Sequence, residues 1–204
     1  MPSAEPRGSC EACPAPVLAR ARSAFAYTGP IAAAIRRLKF GGWREVGPVL
    51  GAAVAALDLP PVDVVTWVPL AHRRLAARGY DQARVLAGAV ARARGLEVRG
   101  LVRRCGDPGP QARRGAADRR RAMRGAFEPT APAPRRVLLV DDVLTTGATA
   151  AACAEALRAA GAHAVVLGVA ARSLPAEALR IARGDAYARG GPRPGLWLPG
   201  EPPR

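Results

Sequence analysis

The sequence predicts an α/β fold in which a parallel sheet is flanked by helices. Its apolar runs, such as Val137–Val140, have no polar break, which is typical of a strand buried on both faces. These runs alternate with helical segments, so successive strands must be joined by crossovers. Half of the 204 residues are hydrophobic but only 4% are aromatic, which favours helices packed on a buried sheet over an aromatic-rich sandwich.

Two helices are predicted near the start of the domain. Residues 29–40 begin with Pro30 in the first turn, place Ile31, Ile35 and Leu38 on one face, and end at a Gly-Gly pair. A second helix is predicted at about 46–57, where Leu-Pro-Pro stops it.

The middle of the chain is predicted to contain two strands around one helix. Val62–Leu70 reads as a strand whose ladder ends near Pro69. A helix follows from about Asp81 to Arg94 and ends at Gly95, and Leu96–Val102 is the next predicted strand.

The last predicted elements follow an Arg-rich polar connection over 103–124. They are the strand at Val137, an Ala-rich helix that stops at Gly161, and a strand at Ala164–Ala170. Residues 1–24 are predicted to be loop, and no internal repeat is present.

The most informative segment is Val137–Leu157, which combines a strand, two carboxylates, a Thr/Gly loop and a helix. Asp141 and Asp142 are expected at the carboxyl end of the strand, where open α/β sheets bind ligands. The loop Thr145–Thr149 leads into a helix amino terminus, which offers N–H groups to an anion. Carboxylates beside an anion cradle suit a ribose 5-phosphate. The alternative is an Asp pair that only caps the helix; a Walker-type loop is excluded because no Gly-Lys-Ser/Thr follows.

This segment resembles the signature of the type I phosphoribosyltransferases, which bind 5-phosphoribosyl-1-pyrophosphate. The resemblance implies the type I phosphoribosyltransferase fold and Mg²⁺ bound to the pyrophosphate of the donor. It also implies that Asp141 and Asp142 accept hydrogen bonds from the ribose 2- and 3-hydroxyls. The 5-phosphate would be held by the loop residues Thr145, Thr146, Gly147, Ala148 and Thr149.

A second motif resembles the ComF family, a branch of this fold associated with bacterial competence for DNA uptake. It consists of Val68-Pro69-Leu70-Ala71-His72 followed by Arg78-Gly79-Tyr80-Asp81-Gln82-Ala83. The resemblance implies that Pro69, Leu70 and Ala71 form the pyrophosphate loop, and that Arg78 and Gln82 bind ligand. Two alternatives stay open: that Arg78 only anchors a turn, and that His72 is a surface residue.

A third motif, Gln111…Arg119-Arg120-Arg121…Gly125-Ala126-Phe127, resembles the family stretch that closes over the active site. A closing loop brings cations to the departing pyrophosphate and expels water. In the same Arg-rich connection, Arg104 is a candidate catalytic residue. The alternative is a solvated, charged surface.

The chain departs from the family pattern at Asp81, Pro108 and Ala122 and at its amino terminus. Asp81 stands where the family usually has Asn, which adds negative charge near a pyrophosphate site. Family members commonly begin with two Cys-x-x-Cys pairs that form a zinc ribbon, whereas only Cys10 and Cys13 are present here. Because structural zinc needs four ligands, zinc binding is not expected. Whether the first pair was lost or the start lies upstream stays open.

The expected organisation is therefore a remnant of a Cys-rich segment at 1–25, a phosphoribosyltransferase-like domain at 26–174, and a Pro/Gly-rich, largely disordered tail at 175–204. The first ten residues lack the apolar core of a secretory signal, and no run of 18 apolar residues occurs, so a cytoplasmic protein is expected.

The net charge of +15 comes from 30 Arg and a single Lys, Lys39. Such a charge favours phosphate-rich partners, although a solvated surface explains it equally well. Two functions are therefore carried forward. One is transfer of a phosphoribosyl group to an unknown acceptor; the other is an accessory role in DNA uptake, with single-stranded DNA and a DNA-uptake helicase as partners. A homodimer is compatible with both.

Overall fold

The computed structural model describes residues 17–105 and 125–174. It contains eleven described elements, and in chain order they are β1 Arg20–Ala26, α1 Gly29–Phe40, α2 Val46–Ala55, β2 Val64–Trp67, α3 His72–Arg78, α4 Gln82–Arg94, β3 Val102–Arg104, β4 Phe127–Pro129, β5 Arg136–Leu144, α5 Ala148–Ala159 and β6 Ala164–Arg172. The expectations for Cys10, Cys13, Gln111, Arg119–Arg121 and the 175–204 tail lie outside the described residues.

The main sheet has four parallel strands in the order β1-β6-β5-β2. Strand β5 is central and pairs with β2 from Val64↔Val137 to Trp67↔Val140, and with β6 along its whole length. A single parallel bridge, Val65↔Val98, extends the sheet beyond β2. Strands β3 and β4 form a separate antiparallel pair.

Each face of the sheet buries its own hydrophobic cluster, because successive side chains of β5 point to opposite faces. Leu138 and Val140 pack with α1, α2 and α4, whereas Val137 and Leu139 pack with α5 and the β3–β4 pair. Helices therefore cover both faces. The predicted parallel sheet flanked by helices is confirmed. The apolar run of β5 is unbroken because the strand is buried on both faces.

Three local predictions were wrong, and one helix was not predicted. Residues 20–24, predicted as loop, belong to β1, because they pair with β6 although their pattern is weak. The strand predicted at Leu96–Val102 is reduced to the bridge at Val98 and to Val102, the first residue of β3. Strand β5 does not stop at Val140 but continues to Leu144, since β6 still pairs with it there. Residues 72–78, which were given no element, form α3.

Helices α2 and α4 pack so closely that two glycines of α2 are needed at the contact. A Cβ added at Gly47 would lie 2.4 Å from Cγ1 of Val85, and one at Gly51 would lie 2.5 Å from Cβ of Ala89. Gly88 of α4 differs, because a Cβ there would meet nothing within 4 Å. The close approach therefore holds α4 firmly against α2.

We expect Gly51→Ala to destabilise the protein by about 1–3 kcal/mol, because the added methyl overpacks the α2–α4 contact. The matched variant Gly88→Ala adds the same methyl in open space and removes helix-interior glycine, so it should stabilise by about 0.5–1 kcal/mol. Urea unfolding followed by circular dichroism measures both. Equal effects of the two substitutions would contradict the packing described here.

Candidate functional site

The candidate site lies where strands β2 and β5 diverge. Their pairing ends with the N–H of Val68 donating to the carbonyl of Val140 over 3.0 Å. Beyond this point β5 keeps only its partner β6, with Asp141 opposite Val169. The next residues of β5 therefore border a crevice at the carboxyl ends of the strands, which is where open α/β sheets bind ligands.

A cavity of about 320 Å³ occupies this crevice. We call it the carboxylate cavity. It is bordered by residues from several parts of the chain, and its lining consists of Tyr27, Lys39, Val68, Pro69, Leu70, Arg74, Gln82, Arg104, Asp141, Asp142, Val143, Thr145 and Thr149.

The two carboxylates of β5 have different surroundings. Asp142 is 4% exposed, and its Oδ1 lies 2.9 Å from Nζ of Lys39, which comes from the last turn of α1. Its Oδ2 is buried and has no hydrogen-bond partner. Asp141 is half-buried and accepts a 2.8 Å hydrogen bond from the N–H of Asp142. A buried carboxylate oxygen without a partner is costly, so this atom is suited to a ligand donor.

Burial raises the pKa of Asp141 well above its usual range, and the neighbouring charge of Asp142 raises it further. The hydrogen bond from the N–H of Asp142 and the charge of Lys39 act in the opposite direction, since both favour the ionised form. Perturbed carboxyl groups in a cleft are typical of functional sites. A ligand that donates hydrogen bonds to Asp141 would favour its ionised form.

Lys39 and Arg74 are site residues that the sequence reasoning missed. The available signal for Lys39 was its rarity, because it is the only lysine among 31 basic residues. An ammonium is a compact point charge, whereas a guanidinium is a planar fork that takes more space. The side chain of Lys39 is 22% exposed and lines the carboxylate cavity. Lysine here supplies one positive charge to two adjacent carboxylates.

The predicted phosphate loop connects β5 with the amino terminus of α5. Gly147 adopts a left-handed conformation with a φ of 74°, and a positive φ favours glycine. The hydroxyl of Thr146 lies 3.5 Å from the N–H of Ala148. Thr145 and Thr149 line the carboxylate cavity, so Thr residues on both sides of Gly147 border it.

The predicted pyrophosphate loop is tied to helix α4 by Asp81. One carboxylate oxygen of Asp81 accepts a 2.9 Å hydrogen bond from the N–H of Leu70. The other caps α4 by accepting from the N–H groups of Ala83 and Arg84 at 3.0 and 3.3 Å. Burial raises the pKa of Asp81, although these bonds partly offset it. Asp81 was expected to repel pyrophosphate, but in the structure it holds the backbone of the predicted pyrophosphate loop.

The remaining predicted residues divide between the cavity and its surroundings. The structure brings Arg104 and Gln82 to the carboxylate cavity together with the Asp pair, Pro69, Leu70, Thr145 and Thr149. Arg78 donates to Oε1 of Gln82 from outside this lining. Ala71, Thr146, Gly147 and Ala148 are likewise not part of the lining. His72 begins α3 at an exposed position.

One thiol lies beneath the site. Cys153 of α5 is fully buried, and burial together with the charge of Asp141 raises the pKa of its thiol, while Arg104 acts in the opposite direction. The buried thiol is therefore unsuited to act as a nucleophile.

No helix in the described ranges, 17–105 and 125–174, is long and apolar enough to cross a membrane. Nor do they contain a group of three or more His, Cys, Asp or Glu residues placed to hold a metal ion.

Comparison with curated proteins identifies relatives of this chain, although no protein-family model matches it. DNA utilization protein YhgH of Escherichia coli is 31% identical over 160 residues, which cover 72% of this chain and 70% of that protein. Competence protein F of Haemophilus influenzae is 33% identical over 150 residues, covering 66% of this chain and 65% of that protein. The chain belongs to the ComF family.

Solved structures give a more distant likeness. Glutamine phosphoribosylpyrophosphate amidotransferase from B. subtilis, complexed with ADP and GMP, is 24% identical with a TM-score of 0.46. The match covers 62% of this chain and 26% of that one. Membership of the ComF family carries with it the type I phosphoribosyltransferase fold expected from the sequence. The described sheet, with its helices on both faces, agrees with that fold.

We expect Asp141→Asn to be more stable than the parent ComF protein at pH 8, with the difference closing toward about pH 4. Because the pKa is raised in the folded state, the folded protein keeps a proton that the unfolded chain has lost. Stability from this group therefore falls as pH rises through the folded-state pKa. The amide cannot ionise, so the variant lacks this loss.

Urea unfolding at a series of pH values measures the effect. Asp58→Asn is the control, because the side chain of Asp58 is 89% exposed. A difference between parent and Asp141→Asn that is constant across the pH range would show that burial of Asp141 has no electrostatic cost.

Proposed function

We propose that this ComF protein binds 5-phosphoribosyl-1-pyrophosphate in the carboxylate cavity and transfers its phosphoribosyl group to a nitrogen acceptor. The observation that carries the proposal is that the carboxylate pair and the loop residues Thr145 and Thr149, at the start of α5, line one cavity. Such a site offers hydrogen-bond acceptors from the carboxylates and anion-binding donors from the Thr loop. A ribose 5-phosphate has the complementary groups, hydroxyls and a phosphate.

Several cations are available for the pyrophosphate end of the donor. Lys39, Arg74 and Arg104 all line the carboxylate cavity. The Pro69-Leu70 segment borders the same side, and its backbone is held by Asp81. Fixed cations in a partly enclosed site stabilise the charge that develops on a leaving pyrophosphate.

Mg²⁺ is the metal that the proposed donor implies. It usually binds through one or two carboxylates together with substrate phosphates and water. Asp141 and Asp142 provide hard oxygen ligands of this kind, and the unpartnered Oδ2 of Asp142 supports the fit. When bound, Mg²⁺ would neutralise part of the pyrophosphate charge.

The transfer would exchange one bond at the anomeric carbon for another. A lone pair of the acceptor nitrogen forms a bond to this carbon while its bond to the pyrophosphate oxygen breaks. Pyrophosphate leaves with the electron pair, and the proton of the nitrogen passes to water. Positive charge grows on the ribose in between, and the carboxylates of Asp141 and Asp142 would stabilise it.

The double variant Asp141→Asn/Asp142→Asn should lose affinity for 5-phosphoribosyl-1-pyrophosphate by at least about 100-fold. Hydrogen bonds to charged groups contribute about 1.5–3 kcal/mol each, and two are weakened together. Calorimetric titration of parent and variant with the donor plus Mg²⁺ measures the loss.

Asp58→Asn serves as the control, since it removes one carboxylate from an exposed position outside the cavity lining. Circular dichroism shows whether each variant is folded. A folded double variant that binds the donor as tightly as the parent would place the ligand elsewhere.

A second candidate function is an accessory role in DNA uptake that includes binding of single-stranded DNA. The observations that favour it are the names of the relatives, Competence protein F and DNA utilization protein, and the net charge of +15. A DNA-uptake helicase would then be the protein partner. Binding by charge alone has little base preference and is sensitive to salt.

If single strands bind mainly by charge, their affinity should fall steeply as salt rises, and Arg119→Gln/Arg120→Gln/Arg121→Gln should flatten the slope of log K against log salt by about 2. Fluorescence anisotropy with a labelled oligonucleotide at several salt concentrations measures it. The charge-matched control replaces the exposed Arg22, Arg36 and Arg92 with Gln. Equal slopes for the two triple variants would show that the 119–121 segment has no special part in binding.

A further inference from the structure

A cavity of about 470 Å³ lies at the opposite end of the sheet from the carboxylate cavity. Arg136 and Ala164, the first residues of β5 and β6, are paired with each other at this edge. Asp141 lies further along β5, about 16 Å from Arg136 in an extended strand. We call this space the amino-edge cavity. Its lining consists of Asp63, Arg135, Arg136, His163 and Ala164, none of which lines the carboxylate cavity.

The one carboxylate of this lining is already used. Oδ2 of Asp63 accepts a 2.9 Å hydrogen bond from the N–H of Arg136. Its Oδ1 accepts from Nε and Nη2 of the same arginine at 3.0 and 2.5 Å. The side-chain hydrogen bond from Arg136 lowers the pKa of Asp63. Asp63 therefore stays ionised and neutralises Arg136, so the remaining charge of the lining is positive.

Arg135 supplies this remaining charge. Its guanidinium and the imidazole of His163 are exposed, and neither forms a hydrogen bond or salt bridge with a residue of 17–105 or 125–174. Arg135 acts on Asp63 through its charge alone. Nη1 of Arg136 is also without a hydrogen bond in these ranges, because Asp63 binds only Nε and Nη2. Three donor groups of the lining are therefore unused.

The backbone holds Arg135 and His163 next to each other. The carbonyl of Arg135 accepts hydrogen bonds from the N–H groups of His163 and Ala164 at 2.7 and 2.9 Å. Arg158, in the last turn of α5, donates to the carbonyls of Ala162 and His163. Since these bonds fix the turn between α5 and β6, a ligand does not have to bring the two residues together.

The unused donors suit a phosphate better than a carboxylate. A guanidinium binds anionic oxygens in a planar fork, and an imidazole adds a further N–H. A carboxylate offers two oxygens and one charge, whereas a terminal phosphate offers three oxygens and a charge of about −1.5 to −2. The cavity volume lies within the range of small-molecule sites, about 300–1,000 Å³, so an organic group can accompany the phosphate.

We propose that the amino-edge cavity binds the phosphate group of a small ligand through Arg135, His163 and Nη1 of Arg136. The inference goes beyond the proposed function and does not depend on it, because the two cavities have no lining residue in common. Inorganic phosphate and a phosphate monoester both carry this chemistry.

The two histidines of the chain allow the two ends of the sheet to be observed separately. His163 lines the amino-edge cavity, whereas His72 directly follows the predicted pyrophosphate loop. Their imidazole C–H resonances are followed by NMR while inorganic phosphate replaces chloride at constant pH and ionic strength, and His72→Gln assigns them. The His163 resonance should shift saturably. A saturable shift of the His72 resonance alone would restrict phosphate to the other end and overturn the proposal.

Two substitutions should change the phosphate affinity reported by His163 in opposite directions. Arg135→Gln should weaken it by about tenfold or more, since it removes the unpaired guanidinium. Asp63→Asn should tighten it by about two- to fivefold, because Arg136 is no longer neutralised. Arg36→Gln is the charge-matched control, since Arg36 is exposed on α1 outside the lining. Circular dichroism shows whether each variant is folded.

Glycerol 3-phosphate, titrated in the same way, distinguishes the two sources of phosphate. Tighter binding than that of inorganic phosphate supports the proposal and assigns a monoester; equal or weaker binding supports it and assigns the free anion. The proposal is overturned if neither probe shifts the His163 resonance saturably, or if Arg135→Gln and Arg36→Gln bind phosphate equally well. Unchanged or weaker binding by a folded Asp63→Asn variant also overturns it.

Discussion

Two adjacent carboxylates and one ammonium form the interaction on which the rest of the site depends. Asp141 and Asp142 lie at the end of a buried strand, where water reduces their mutual repulsion less than it would at the surface. Nζ of Lys39 lies 2.9 Å from Oδ1 of Asp142. Because Oδ2 of Asp142 is buried and has no hydrogen-bond partner, the site retains a capacity for a donor or a metal ion that a ligand can supply.

Because Lys39 belongs to the last turn of α1, the position of that helix and the electrostatics of β5 are coupled. Ile35 and Leu38 of the same helix are completely buried against the sheet, which fixes the lysine. Asp81 has a comparable role on the opposite side, where it joins the pyrophosphate-loop backbone to α4. Both walls of the crevice are therefore positioned by elements that pack on one face of the sheet.

The sequence alone was sufficient to predict the helices and strands whose signals are local. The Gly-bounded helix α4 and the apolar run of β5 need little information from elsewhere in the chain, and both were found. Strand β1 was not, because its residues Arg20–Ala26 form a strand only through pairing with β6, some 140 residues away. The predicted length of β5 was wrong for the same reason, because pairing with β6, and not a signal in the sequence of β5, extends the strand to Leu144.

For the site, the sequence motifs located the Asp pair and Thr loop, but not the partners that come from other elements. Lys39 and Arg74 reach the cavity because α1 and α3 end or begin near it. The same topology has a chemical consequence. Apart from the α-amino group, Lys39 is the only primary amine in the 204 residues. Any acylation, glycation or other modification directed at lysine must therefore fall on the ion pair with Asp142, so amine reactivity of this protein reports the state of a single site.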